Sequence, residues 1–134
     1  MRKITLFAII FLIGMVALSQ NLIGYNEKEI LKYMKENQNQ MTLDNVKNDK
    51  FYYLKYSNNS DTQTLLFFFN PDSVCHGVRL ICEMSVKAEK VKEFNSIYRK
   101  VDETRWIDSK NDNEYLIEML DEKWSCIVNI KPKK

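Results

Sequence analysis

Cys75 and His76 stand side by side in the chain, the one pairing of a thiol with a base that could activate it. His76 is the only histidine, and the other cysteines are Cys82 and Cys126. If Cys75 and His76 lie on a strand, alternation sends their side chains to opposite faces and separates thiol from imidazole. A bend at Gly77 would relax that separation, so a thiol-dependent enzyme built on Cys75 and His76 stands as one functional expectation. Serine hydrolysis would need the same histidine as base, and no Gly-x-Ser-x-Gly elbow is present. With no Cys-x-x-Cys spacing and one histidine, the ligand set for zinc is missing, and no metal or other cofactor is expected. Asp102, Glu103, Asp108, Asp112 and Glu114 supply carboxylates for acid and base work, but they fall in segments that read as solvated. Beyond residue 19 the only glycines are Gly24 and Gly77, too few for a phosphate-cradling loop.

The three cysteines acquire a second meaning if the chain is exported, because an oxidising compartment favours bridges and three thiols leave one over. Strand parity places Cys82 with Val78, Leu80 and Met84, and Cys126 with Trp124, Val128 and Ile130, both sets inward. Cys82 and Cys126 are therefore the expected pair, meeting across the core. Closing their loop of about 45 residues would contribute on the order of 4 kcal/mol in the chain-entropy account. The rival pair, Cys75 with Cys82, spans about 23 Å of continuous strand and needs a turn at Gly77. Buried unbridged thiols acting as small apolar groups are the alternative. Asn58-Asn59-Ser60 fits the glycosylation pattern, a short match that arises often by chance.

Export itself is read from the first residues. Arg2 and Lys3 precede an apolar run from Ile4 to Leu18, and Ala17 and Ser19 are small where a signal peptidase requires it. As a helix that run reaches about 22 Å, short of the roughly 30 Å of bilayer hydrocarbon. Residues 1–19 are expected to be a cleavable secretory signal and 20–134 a single domain that is periplasmic or secreted, without stable membrane insertion. Removing residues 1–19 takes away Arg2 and Lys3 and no acid, so 20 basic and 18 acidic residues become 18 of each. A neutral chain lacks the basic excess with which proteins displace counterions from phosphates, which argues against nucleic acid as partner.

The positioning elements follow from periodicity and turn chemistry. Asn26 with Glu29 has the spacing of a capping box, opening a helix whose stripe is Ile30, Leu31, Tyr33 and Met34. Aromatic and β-branched runs predict strands over 51–56, 64–69 and 74–84, separated by Asn58-Asn59-Ser60-Asp61 and Asn70-Pro71-Asp72-Ser73. From Ser85, apolar residues at Val91, Phe94, Ile97, Tyr98 and Val101 predict a second helix that Trp106 and Ile107 close. A polar loop over 109–113 and strands over 114–120 and 124–130 complete the chain. The expected class is α+β, order α-β-β-β-α-β-β, with two helices packed on one face of a mainly antiparallel sheet of about five strands.

Alternation within those strands places oily side chains on the sheet's second face as well. If Leu65, Phe67 and Phe69 face the helices, then Phe51, Tyr53, Leu66, Phe68, Ile81 and Ile127 face away. Such a set would reach several hundred Å², near the largest patch a monomer usually carries. Coverage by residues 20–25 or by 41–50 would explain it, as would pairing with a second copy. The functional expectation is a small exported non-enzymatic binding protein using this open face for a protein or peptide partner, or for itself. A carrier holding a small apolar ligand between sheet and helices is a further alternative, and it requires a cavity. No motif in the chain is specific to a family.

Overall fold

The computed structural model describes residues 21–44 and 52–133. The expected signal over residues 1–19 and the outward residue Phe51 lie outside the described residues. Helix α1 runs Glu27–Asn37 and begins as its sequence requires: Asn26 Oδ1 accepts from the Glu29 N–H at 2.9 Å, and Glu29 Oε1 accepts from the Asn26 N–H at 3.0 Å. Ile30 and Met34, one turn apart, are buried. After α1 come four strands, β1 (Met41–Asp44), β2 (Tyr53–Asn58), β3 (Gln63–Phe69) and β4 (Cys75–Glu83). A single 3₁₀ turn over Met84–Val86 leads into α2 (Lys87–Ile97), and four more strands follow: β5 (Arg99–Asp102), β6 (Arg105–Lys110), β7 (Asn113–Asp121) and β8 (Ser125–Pro132).

All eight strands join one antiparallel sheet in the order β1-β2-β3-β4-β8-β7-β6-β5. This overturns the expected layer of about five strands under two helices, since three strands, β1, β5 and β6, are added. The predicted second helix is the main error. It stops at Ile97, and Tyr98 is already extended at φ −118°, ψ 160°. Residues 99–110 turn back as a hairpin instead, with the Asp102 carboxylate accepting from the Thr104 N–H at 3.0 Å. The expected loop over 109–113 shrinks to Asn111 and Asp112, both with positive φ (51° and 64°), the conformation of a two-residue hairpin whose twist suits its strands.

One face of the sheet carries the core. Register places Leu54, Tyr56, Leu65, Phe67, Val78, Leu80, Val128, Ile130, Ile117, Met119 and Trp106 on it. They pack with Ile30 and Met34 of α1 and Phe94 of α2. Trp106 is fully buried, lies edge-on to Phe94 at 5.3 Å and donates its indole N–H to Asn95 Oδ1 at 2.9 Å. Residues 21–25 belong to the same side. Leu22 and Ile23 enter the core, Gly24 and Tyr25 exchange main-chain bonds with Cys75 at 2.8 Å, and the Lys110 ammonium donates to the carbonyls of Asn21 and Ile23. Covering the second face is therefore not the role of 21–25.

Helix plus four-stranded meander occurs twice, once as α1 with β1–β4 and once as α2 with β5–β8, and the last strands of the two units pair antiparallel at the centre. The pattern is one of topology alone; the sequence carries no repeat. Both outermost strands, β1 and β5, are four residues long. β5 is mostly charged, and its register with β6 slips between Lys100 and Asp102.

Candidate functional site

A cavity of about 350 Å³ lies over the middle of the core face. Its floor is Leu65 and Phe67 of β3, Val78 and Leu80 of β4, and Val128 and Ile130 of β8, with Phe94 of α2 as a wall. The central strands thus supply apolar side chains from alternate positions. The rest of the lining is mostly polar: Gln38 and Gln40, with the apolar Met41, where α1 gives way to β1, Asn58 and Gln63 flanking the β2–β3 turn, and Glu89, Lys90 and Glu93 along α2. Several are already committed. Asn58 holds its own turn, donating to Ser60 and Thr62 and accepting from the Gln63 N–H at 3.0 Å. Gln40 donates to Gln38 Oε1 at 3.0 Å. Lys90 Nζ meets Glu93 Oε2 at 3.1 Å, and the two side chains keep only 15% and 21% of their surface in contact with solvent. An apolar body with a few convergent polar groups is the usual make-up of a small-molecule site.

No sequence feature announces this cavity. Its lining comes from seven separate elements and turns, and only the Lys90–Glu93 spacing, three residues on a helix, is visible in one dimension.

On the outer face, register brings the expected set together. Tyr53 stands opposite Phe68, Leu66 opposite Arg79, and Ile81 opposite Ile127. All five described members, Tyr53, Leu66, Phe68, Ile81 and Ile127, are half-buried by their sheet neighbours. Tyr53 and Phe68 rings lie 6.1 Å apart, and the Arg79 guanidinium sits 5.7 Å from the Phe68 centroid. Leu120 and Leu116 extend the face on β7, and Leu120 is well exposed; strand parity would have found both had the β7–β8 register been known.

The thiol reading meets a different geometry. Cys75 is buried at the start of β4, and His76 is exposed at a register shift between β3 and β4. The Cys75 thiol donates to the Gly77 carbonyl at 3.4 Å, and burial pushes it up to about 11. A buried thiol that stays protonated at neutral pH is a poor nucleophile. Cys82 and Cys126 are both buried and unbridged. They stand directly opposite on β4 and β8, side by side rather than across the core. The Glu83 N–H bonds the Thr62 carbonyl and the Lys133 N–H the Glu114 carbonyl, both at 2.9 Å, so odd-numbered residues of β4 and β8 bond outward to β3 and β7. Cys82 and Cys126 therefore exchange the main-chain bonds of the central seam, a pair type about 5.5 Å apart at Cα and within the span a disulfide can bridge. Burial pushes Cys82 to about 11 and raises Cys126.

The carboxylates serve as structural partners. Asp102 pairs with Arg105 at 2.6 Å, and this contact with the Thr104 N–H holds its carboxyl below the usual range. Glu114 meets Arg99 and Lys133, and Asp108 accepts from Asn21. Among the described residues no three His, Cys, Asp or Glu side chains converge as metal ligands, and no helix is long and apolar enough to cross a membrane. Comparison with known protein families, with curated proteins and with solved structures finds no match to this chain.

Proposed function

We propose that this chain is an exported, non-enzymatic binding protein that holds a small ligand with an apolar body between its helices and the centre of its sheet. The observation that carries the reading is the cavity of about 350 Å³ floored by six side chains of β3, β4 and β8. Its size is at the lower end for small-molecule sites. Export is supported by the basic and apolar start of the sequence, and Leu22 and Ile23, which follow the expected cut at Ser19, are core residues. Catalysis by Cys75 and His76 draws no support from a thiol that is buried, protonated and bonded to the Gly77 carbonyl.

Titration with the neutral fluorescent probe N-phenyl-1-naphthylamine tests the reading. Saturable single-site binding is expected, and Leu80→Trp, which fills the floor, is expected to abolish it while thermal unfolding stays cooperative. Failure of the unaltered protein to bind, or unchanged binding by the filled variant, rejects the cavity as a site.

A second reading is favoured by the convergence of Tyr53, Leu66, Phe68, Ile81 and Ile127 on the outer face: contact with a protein, a peptide or a second copy of this chain. Sedimentation of the purified protein and of a Tyr53→Ser/Phe68→Ser variant separates these. A dimer lost in the variant identifies the second copy as occupant, and a monomer in both leaves the face to another partner.

A further inference from the structure

Two of the three cysteines are placed for one another at the centre of the sheet. β4 closes the first helix-and-meander unit and β8 the second, and the antiparallel ladder between them is where the units join. Cys82 and Cys126 stand directly opposite in that ladder, one step along the inward face from the pair Leu80 and Val128. Both are buried, at 1% and 0% exposure. Residues that exchange main-chain bonds across such a ladder lie about 5.5 Å apart at Cα and about 4.5–5.5 Å at Cβ. A disulfide takes the first separation as it is and needs the second to close to about 4.5 Å or less, a movement of about 1 Å at most. Cys75 has no such option. It lies seven residues before Cys82 on β4, about 23 Å along the strand, opposite Phe69 of β3 and with its thiol bonded to the Gly77 carbonyl. Cys126, facing Cys82, is equally out of its reach. Of the pairings that the cysteines allow, one fits.

We propose that Cys82 and Cys126 become a disulfide when the chain folds in an oxidising medium, fastening β4 to β8 across the seam of the two units, while Cys75 stays a thiol. The oxidant is itself a disulfide, of a small molecule or of a protein. The thiolate of one cysteine attacks it, forming a mixed disulfide and releasing one thiol. The thiolate of the other cysteine then attacks the protein sulfur of that mixed disulfide, which forms the Cys82–Cys126 bond and releases the second thiol. Two electrons and two protons pass from the cysteines to the oxidant, which leaves as two thiols. Once the core is closed, burial pushes Cys82 up to about 11, raises Cys126 and shuts both away from reagents, so the bond belongs to the folding stage. The inference rests on the export reading for the source of the oxidant alone, and the experiment supplies that oxidant directly.

The purified protein, unfolded in urea with dithiothreitol, is refolded either with glutathione and its disulfide or with dithiothreitol, then acid-quenched, denatured, alkylated and mapped by mass spectrometry. Refolding with the glutathione couple is expected to leave one alkylated cysteine, Cys75, and a linked peptide pair holding Cys82 and Cys126. Three alkylated cysteines, or a bridge that includes Cys75, overturns the proposal. Closing a loop of about 45 residues is expected to make the unfolding equilibrium constant of the bridged sample about 100- to 1,000-fold smaller than that of the dithiothreitol sample, and equal urea midpoints overturn the fastening. Thiols at Cys82 and Cys126 remain to titrate at alkaline pH in the dithiothreitol sample only. Cys75→Ala is expected to keep both the bridge and the difference in midpoint, and Cys82→Ala/Cys126→Ala to lose both. Should the double variant fold poorly, Cys75→Ala carries the test, and absence of a bridge in it overturns the proposal as well. None of these outcomes depends on where the cell sends the chain, so a failure here is distinct from a failure of the export reading.

Discussion

Two tryptophans with opposite fates show how little a residue's type says without its neighbours. Trp106 is fully buried and hydrogen-bonded to Asn95, while Trp124 stands 78% exposed at the β7–β8 turn. Trp106→Ala is expected to cost about 3–5 kcal/mol by urea unfolding, and Trp124→Ala within about 0.5 kcal/mol of zero. Iodide should quench the Trp124 emission and spare that of Trp106. The thiols make a second residue-level prediction. Cys75 and Cys82 rise from 9.0 to about 11 on folding, so they stay protonated in the native chain where the unfolded chain has begun to ionise. Their contribution is whole below about 9 and is lost as pH climbs toward about 11. Urea midpoints should agree between about pH 7 and pH 8 and fall by about pH 10.5, and a flat profile across that range would contradict the burial of both thiols. What the sequence told at this scale was facing rather than distance. Parity put Cys82 and Cys126 on inward faces and Tyr53 and Phe68 outward, but that β4 and β8 are neighbours is a long-range fact that no local pattern encodes.

Elements with strong end signals were readable. Asn26 and Glu29 foretold the start of α1, and Asn26→Ala is expected to lower stability by about 1 kcal/mol, measured by urea unfolding. Runs of Leu, Phe, Val and Ile between clusters of Asn, Asp and Ser gave β2, β3, β4, β7 and β8 close to their bounds. β1, β5 and β6 escaped for physical reasons. β1 and β5 are too short to show a period, and Ile97, Tyr98 and Val101 continued a helical spacing past the point where the backbone becomes extended. Asn111 and Asp112, with φ of 51° and 64°, looked like a longer loop because only glycine announces that conformation plainly. Asp112→Gly should therefore raise stability by up to about 1 kcal/mol, since relief of the left-handed strain, roughly 1–2 kcal/mol, outweighs the added unfolded-state freedom of glycine, about 0.4–1 kcal/mol; an unchanged or lower urea midpoint would count against the turn assignment.

At the scale of the whole molecule, two helix-and-meander units share one continuous sheet, and the seam between β4 and β8 is where their cores become one. Amide exchange is expected to be slowest at Val78, Leu80, Val128 and Ile130 and fastest along β1 and β5, and seam amides exchanging as fast as those margins would contradict a single cooperative unit. The cavity exists only at this scale, because its floor crosses the seam and its mouth is shared between both units. That is why side-chain alternation, which reads one strand at a time, pointed to the outer apolar face but not to the cavity opposite. The four-residue margins of the sheet bear on behaviour in concentrated solution. A ladder of unpaired main-chain groups invites further chains to stack on it, and a tract so brief, charged and slipped in register as β5 offers a newcomer few consecutive bonds. Stacking of further strands on the β5 rim of the folded sheet is thereby disfavoured.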